Sequence, residues 1–250
     1  MYNFPNVEGQ KVPIVSWVYR FNGQWAKITS DEIFKNRKVV IFSLPGAFTP
    51  VCSSSHLPRY EELAETIKRA ANIDDIYCIS VNDPFVMDAW AKDQGIKNVK
   101  FIPDGNGEFT EKLGYLVDKK EFGLGMRSWR YSMYVENGII KKFFCEPYKK
   151  DEDTYGISDA DTMLDYLKPN TERPKLCTII TRVGCPYCEK AKELLQSKGI
   201  YYEELSIPNL VLTSRTLRAI NGATSAPQVF IDGKLIGGYE DLKKYFSVSA

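Results

Sequence analysis

Two α/β domains, each a central mixed sheet flanked by helices, are the fold this sequence predicts, on three observations. Short apolar runs alternate with stretches of helical period through the first two thirds of the chain. A polar segment carrying Pro169 and Pro174 then interrupts that alternation. Beyond it the alternation restarts and continues towards the C-terminus. At 250 residues the chain has length for one to two domains, and the expected division is 1–168, a proline-stiffened linker at 169–174, and 175–250.

Element by element, Lys38–Ser43 is an apolar strand ended by the turn signal Leu44-Pro45-Gly46. Leu57, Tyr60, Leu63, Ala64 and Ile67 then recur at helical spacing with charged residues between them. Asp75–Val81 reads as a second strand, Phe85–Asp93 as a helix, and Phe101-Ile102 as the start of a further extended segment. Tyr131–Val135 and Ile139–Phe144 flank Glu136-Asn137-Gly138, and Asn-Gly is a strong hairpin signal. Asp159–Leu167 closes the first domain as a helix. In the second, strand Leu176–Thr181 precedes a helix from about Cys188 to Lys198 that stops at Gly199. Extended Tyr201–Leu205, a helix near Leu212–Ile220, strand Gln228–Ile231, turn Asp232-Gly233 and helix Glu240–Phe246 complete it.

Composition excludes several classes of function. Hydrophobic residues make 44% and charged residues 26%, as in ordinary globular proteins. Lys and Arg number 33 against 32 Asp and Glu, a net charge of +1, so no field draws in nucleic acid or an anionic membrane. The longest apolar run lies around Val39–Phe48 and is interrupted by Pro45 and Gly46, short of the roughly 20 residues a spanning helix needs. The N-terminal residues lack the basic and apolar regions of a secretory signal. A soluble, cytoplasmic protein is the expectation.

The six cysteines are Cys52, Cys78, Cys145, Cys177, Cys185 and Cys188. Disulfide frameworks belong to short secreted chains without a sufficient core. Zinc needs four ligands, and Cys185 and Cys188 have no second pair to complete them. The expectation is therefore no metal, and reduced thiols with redox chemistry at some of them.

Cys185-Pro186-Tyr187-Cys188 falls between a strand and a helix, the context of a thioredoxin-like redox motif. Unpaired N–H groups and the helix dipole favour a thiolate at Cys185. Cys188, one turn on, is spaced to attack a mixed disulfide formed there, and Arg182 adds positive charge. Ala226-Pro227 opens a strand, where a proline leaves the preceding backbone for a substrate. Gly237-Gly238-Tyr239-Glu240-Asp241 opens the last helix, whose N–H groups suit a carboxylate. In this order and spacing the segments resemble glutaredoxin over about 175–250. The resemblance implies attack by Cys185 on glutathione mixed disulfides, with glutathione bound by Arg182, Tyr187, Ala226, Pro227, Gly238, Tyr239 and Glu240. Ser225-Ala226 stands where the family usually has Thr-Val.

In the first domain, Pro45-Gly-Ala-Phe-Thr49-Pro-Val-Cys52 follows a strand and precedes an amphipathic helix. A lone thiol at a helix start, with a hydroxyl three residues away, suits a small oxidant, because cleaving a peroxide needs an activated thiolate and polar groups for the departing oxygen. Pro-x-x-x-Thr-x-x-Cys resembles the peroxiredoxin motif. Ser53-Ser-Ser-His-Leu-Pro58, Ser80-Val-Asn-Asp83 and Arg130-Tyr-Ser-Met133 resemble its five-type, atypical subfamily over about 1–168. The resemblance implies a thioredoxin-like core, Cys52 as peroxidatic thiol, Thr49 as hydrogen-bond donor, Pro45 as shield and Arg130 as thiolate partner. Arg130 takes that part because it directly precedes the aromatic Tyr131; Arg127 is left as a neighbouring or surface charge. His56 is expected on the helix surface with ordinary packing. Cys78, Cys145 and Cys177 are expected to be structural, and the subfamily's resolving cysteine has no counterpart over 154–159.

The whole chain resembles bacterial peroxiredoxin–glutaredoxin hybrids, two thioredoxin-like domains in series. That resemblance implies reduction of hydrogen peroxide and alkyl hydroperoxides, with glutathione as reducing cosubstrate kept reduced by glutathione reductase, no bound cofactor, and a homo-oligomer. Two other readings stay open on sequence: a general thiol–disulfide oxidoreductase using the first domain as a docking platform, and a redox sensor signalling through oxidised Cys52.

Overall fold

The computed structural model describes residues 3–21, 24–148, 154–209 and 212–248. The chain divides into two compact units, 1–172 and 173–250. In the first, strands β1 (Ser16–Phe21) and β2 (Gln24–Thr29) pair as an antiparallel ribbon and lead into the short helix α1 (Ser30–Phe34). Thr29 and Glu32 form a reciprocal capping box at the start of α1. Then follow β3 (Lys38–Ser43), helix α2 (Leu57–Ala71), β4 (Asp75–Ser80), α3 (Pro84–Asp93), β5 (Lys100–Pro103), α4 (Glu108–Leu113), β6 (Leu116–Asp118) and β7 (Met126–Ser128). Strands β8 (Tyr131–Glu136) and β9 (Ile139–Cys145) and helix α5 (Ala160–Leu167) complete the unit. The ribbons β1–β2 and β6–β7 and helices α1 and α4 were not anticipated from the sequence pattern.

The five-stranded sheet runs β5-β4-β3-β8-β9, with β3, β4 and β5 parallel and the β8–β9 hairpin antiparallel. Asn137 and Gly138 both take positive φ in the hairpin turn, which explains the Asn-Gly pair there. Strand β3 is central and buried on both faces, so it reads as a continuous apolar run. Val39 and Ile41 enter one core cluster, and Val40 and Phe42 enter the other, on opposite faces of the sheet.

Where β3 ends, the chain crosses Leu44–Thr49 and becomes helical at Pro50. Cys52–His56 forms a single π turn before α2 begins, closed by the Leu57 N–H donating to the Cys52 carbonyl. Leu57, Tyr60, Leu63, Ala64 and Ile67 are all buried, as their spacing predicts.

The second unit contains β10 (Cys177–Arg182), α6 (Pro186–Ser197), β11 (Glu203–Ile207), α7 (Ser214–Asn221), β12 (Gln228–Ile231), β13 (Lys234–Gly237) and α8 (Tyr239–Val248). Its sheet order is β11-β10-β12-β13, with β10 parallel to β11 and antiparallel to β12. Strand β13 is an addition to the expected elements. Both units thus place a central strand, β3 or β10, between a parallel and an antiparallel neighbour, and each continues from that strand into a helix bearing a cysteine at its start. Among the described residues no helix is long and apolar enough to cross a membrane, and no cluster of His, Cys, Asp and Glu is arranged to hold a metal ion.

Candidate active site

Cys52 lies wholly buried in the π turn. Its Sγ receives Nη2 of Arg130 at 3.5 Å, and Arg130, just before β8, is itself wholly buried. Strand pairing supplies this contact: Ser43 at the end of β3 faces Tyr131 at the start of β8, which brings Arg130 beside the chain leaving β3. Arg127 is elsewhere. It donates from Nε to the Leu124 carbonyl at 2.7 Å and from Nη1 to the Val81 carbonyl at 2.8 Å, close to Gly46.

The loop before Cys52 is pinned by its neighbours. Asn82 Oδ1 accepts from the Ala47 N–H at 3.0 Å and from the Ser80 hydroxyl at 2.7 Å. Pro45 is buried at the start of this loop, and Phe48 holds a positive φ of 61°, a conformation that costs a bulky residue energy and persists only where surroundings enforce it. Thr49 departs from its expected part as donor: its hydroxyl already donates to the Gly46 carbonyl at 2.8 Å. What remains free on that oxygen is acceptor capacity.

His56 corrects the sequence reading more sharply. It is wholly buried, not on a helix surface. Its ring packs against Phe42, Tyr60 and Tyr155 at centroid distances of 4.9, 5.5 and 5.1 Å. Nε2 lies 3.1 Å from the Ser158 carbonyl and Nδ1 lies 2.9 Å from Arg130 Nη1. A guanidinium only donates and a carbonyl only accepts, so the network assigns the proton to Nε2 and the lone pair to Nδ1. Burial first, and the neighbouring Arg130 charge second, hold the imidazole well below its usual pKa. Among the described residues, Cys52, His56 and Arg130 therefore form one buried cluster, with the Tyr155 ring 5.7 Å from the guanidinium carbon.

The remaining thiols of this unit differ. Cys78 on β4 is wholly buried, and burial pushes its pKa well above the ordinary range. Cys145 ends β9 opposite Tyr131 and packs against the core cluster on the face away from Cys52. Burial raises its pKa to about 12, so it stays a thiol at neutral pH.

In the second unit Cys185 caps α6, and its Sγ accepts the Cys188 N–H at 3.2 Å. Cys185 and Cys188 are joined as a disulfide; the first is half-buried and the second wholly buried. The Ala226 carbonyl lies 3.6 Å from Cys185 Sγ, beside the cis Ala226-Pro227 bond. Ala226 precedes the last ladder pair, Ile180 with Gln228, so its backbone is outside the sheet pairing. Arg182 donates from Nη2 to the Ser214 hydroxyl and the Thr224 carbonyl at 3.2 and 3.1 Å, bracing the segment before Pro227. The rings of Tyr187 and Tyr239 approach to 6.2 Å, joining the starts of α6 and α8.

At α8 the Gly238 N–H is already capped by Asp241 Oδ2 at 3.1 Å. A Cβ at Gly237, where φ is +116°, would fall 2.6 Å from that same oxygen. Asp241 was absent from the expected site residues, although an acid in a first helical turn is a recognised capping signal. Glu240 is exposed and pairs with Lys243 at 2.6 Å.

These features define a thiol-based redox protein with two thioredoxin-like sulfur centres. The redoxin family model matches residues 7–164 and the glutaredoxin model residues 177–236. The chain is 52% identical over 242 residues to the hybrid peroxiredoxin hyPrx5 of Haemophilus influenzae, covering 97% of this chain and 99% of that one. A peroxiredoxin of Synechocystis is 58% identical over 148 residues, 58% of this chain and 78% of its own. Among solved structures, reduced Prx3 of Vibrio vulnificus in complex with hydrogen peroxide superposes with a TM-score of 0.61 at 36% identity, covering 66% of this chain and all of that chain. The 1-Cys peroxiredoxin of Plasmodium falciparum gives 0.62 at 40% identity, covering 65% and 99%. The chain belongs to the hybrid peroxiredoxins, a redoxin domain followed by a glutaredoxin domain.

Proposed function

We propose that the chain reduces hydroperoxides with electrons from glutathione, peroxide being reduced at Cys52 and the sulfur recycled at Cys185. The observation that carries this reading is the buried Arg130 guanidinium 3.5 Å from Cys52 Sγ, in a chain that also bears a CxxC centre. As a thiolate, Sγ attacks the distal peroxide oxygen, the O–O bond breaks, and the departing alkoxide or hydroxide takes a proton. Arg130 meets negative charge on sulfur and oxygen inside a dry site, where a fixed donor is worth far more than in water. Thr49 accepts a hydrogen bond from the bound hydroperoxide, and Pro45 shields the thiol from bulk solvent.

Cys52 leaves this step as a sulfenic acid. No other thiol of its unit serves as partner: Cys145 lies on the other face of the sheet, and Cys78 is held in its protonated form. Glutathione condenses with the sulfenic acid and releases water. Cys185 then takes the glutathionyl group, freeing the Cys52 thiol, and a second glutathione leaves with it as the disulfide. The balance is one hydroperoxide and two glutathiones to alcohol, water and glutathione disulfide. Arg182, Tyr187, Ala226, Pro227, Gly238, Tyr239 and Glu240 line the proposed glutathione site; a ligand carboxylate at Gly238 displaces the Asp241 cap. Glutathione reductase closes the cycle, in the reducing cytoplasm, and the working form is a homo-oligomer.

The test is NADPH-coupled peroxide turnover with glutathione and glutathione reductase, with and without added glutaredoxin. Turnover by the chain alone is expected. Turnover that depends on added glutaredoxin or thioredoxin overturns the internal recycling step.

A further inference from the structure

Glu146, directly after β9, is buried and lies outside both cysteine motifs. Its main chain brackets the active-site arginine: its N–H donates to the Arg130 carbonyl at 3.1 Å, and its carbonyl accepts Trp129 Nε1 at 2.8 Å. Its side chain faces the segment that returns to α5. Oε1 accepts the N–H groups of Gly156, Ile157 and Ser158 at 2.8, 2.9 and 2.8 Å, and the Ser158 hydroxyl at 2.8 Å. Three successive backbone N–H groups converging on one oxygen form an anion nest. Charge-assisted bonds of this kind are about twice as strong as neutral ones.

The nest sets the position of one carbonyl. Ser158, anchored through its N–H and hydroxyl, turns its C=O to His56 Nε2 at 3.1 Å and to the Tyr60 hydroxyl at 3.1 Å. A carbonyl at Nε2 requires the proton there, which leaves Nδ1 to accept from Arg130 Nη1 at 2.9 Å. With Nη1 so engaged, Nη2 is the nitrogen on Cys52 Sγ at 3.5 Å. The same sequence of contacts begins and ends on Arg130, since Glu146 also holds its main chain.

We propose that Glu146 is a positioning residue for peroxide reduction: it fixes the Ser158 carbonyl, through it the His56 tautomer, and so the Arg130 guanidinium on Cys52. The inference rests on the peroxidatic reading of Cys52. Glu146 touches neither Cys52 nor peroxide, its one sulfur contact being the Cys145 thiol on its carbonyl at 3.4 Å, and its whole effect on rate passes through Arg130. Misplacing a reacting group by about 1 Å through a distant change costs up to a hundredfold in rate.

The experiment is a double-mutant cycle on the full chain. Cys52 oxidation by hydrogen peroxide is followed in single turnover by dimedone trapping and intact mass. Glu146→Ala is expected to slow it about tenfold or more in the parent chain, and to cost nothing further in the Arg130→Met background. Glu146→Gln, which returns an acceptor oxygen to the nest, is expected to recover most of the rate. Should circular dichroism show Glu146→Ala unfolded, Glu146→Asp, which withdraws the oxygen by one methylene and keeps its charge, replaces it with the same expectation. An unchanged rate in the parent background, or an equal loss in both backgrounds, overturns the positioning role. A parent chain whose Cys52 forms no sulfenic acid overturns the peroxidatic reading instead, so the two failures are separable.

Discussion

Cys52 and Cys185 each stand at the start of a helix that follows a central strand, yet different chemistry holds the two sulfurs. Cys52 is wholly buried and met by a buried cation, itself aligned by an imidazole. Cys185 is half-buried, accepts a backbone N–H, and has a second sulfur one turn away. The difference matches the size of the partner. A buried thiol beside a fixed guanidinium admits a small oxidant and stabilises charge as it forms, whereas an accessible dithiol exchanges with a bulky disulfide. One strand-to-helix junction thus supports two reactions, distinguished by exposure and by the nature of the nearest donor.

Removing one sulfur at a time breaks this comparison most directly. Cys52→Ser is expected to abolish peroxide turnover while leaving reduction of a small glutathione mixed disulfide intact, both measured by coupled NADPH oxidation. Residual peroxide turnover would move the peroxidatic role elsewhere. Next, Cys185→Ser is expected to stop glutathione-supported turnover, because it removes the nucleophile, while Cys188→Ser retains most of it, since free glutathione completes the exchange. Mass spectrometry of peroxide-treated Cys185→Ser is expected to show glutathione on Cys52. Collapse in Cys188→Ser, with a trapped Cys52–Cys185 bond, would replace the glutathione route by direct attack.

The charge difference between the sites is sharpened by the two arginines. Arg130→Met is expected to slow Cys52 oxidation about a hundredfold, near 3 kcal/mol, as for loss of a donor at a developing oxyanion. Arg127→Met, which loses two carbonyl contacts and none to sulfur, is expected to cost far less. Comparable losses would make the two guanidiniums one unit.

The smallest effect concerns pH. His56 is the chain's only histidine, and its folded pKa is depressed by burial and Arg130. The unfolded chain therefore binds a proton that the folded one refuses, so the contribution to stability is complete above about 6.5 and falls as pH drops below it. Between pH 7.5 and 6 the loss is about 0.8 kcal/mol, or about 2–3 °C in Tm at this size. His56→Gln is expected to flatten that slope in thermal melts of the full chain. Asp104, raised by burial, acts in the opposite sense nearer the carboxylate range. An unchanged slope would show that His56 titrates normally.

Both sulfur motifs were legible because their chemistry is local: Pro45, Thr49 and Cys52 share one loop, and Cys185 and Cys188 one helical turn. Arg130 was also legible, through its place before Tyr131. His56 was misread because its partners Arg130 and Ser158 lie 74 and 102 positions away, and because a π turn shifts the helical phase that places a residue inside or outside. Glu146 left no signal for a different reason. Its partners are mostly backbone N–H groups, which every residue but proline carries. The β1–β2 ribbon does carry a signal in the sequence, Asn22-Gly23 between two short runs of strand-forming residues.

The π turn at Cys52–His56 holds one residue more than an α turn would over the same rotation. Deleting one residue among Ser53, Ser54 and Ser55 lets the helix run in a single α phase from Pro50 to Ala71. Four α steps of about 100° turn the chain through nearly the same angle as the five steps of the π turn. With Tyr60, Leu63 and Ile67 anchored in the core, the residues before the deletion therefore keep their phase. Cys52 then stays on the side of Arg130, whereas a second deletion, with no wide turn left to remove, swings it about 100° around the axis. A one-residue alignment gap at the serines therefore signals a narrowed turn, and a two-residue gap a displaced thiol.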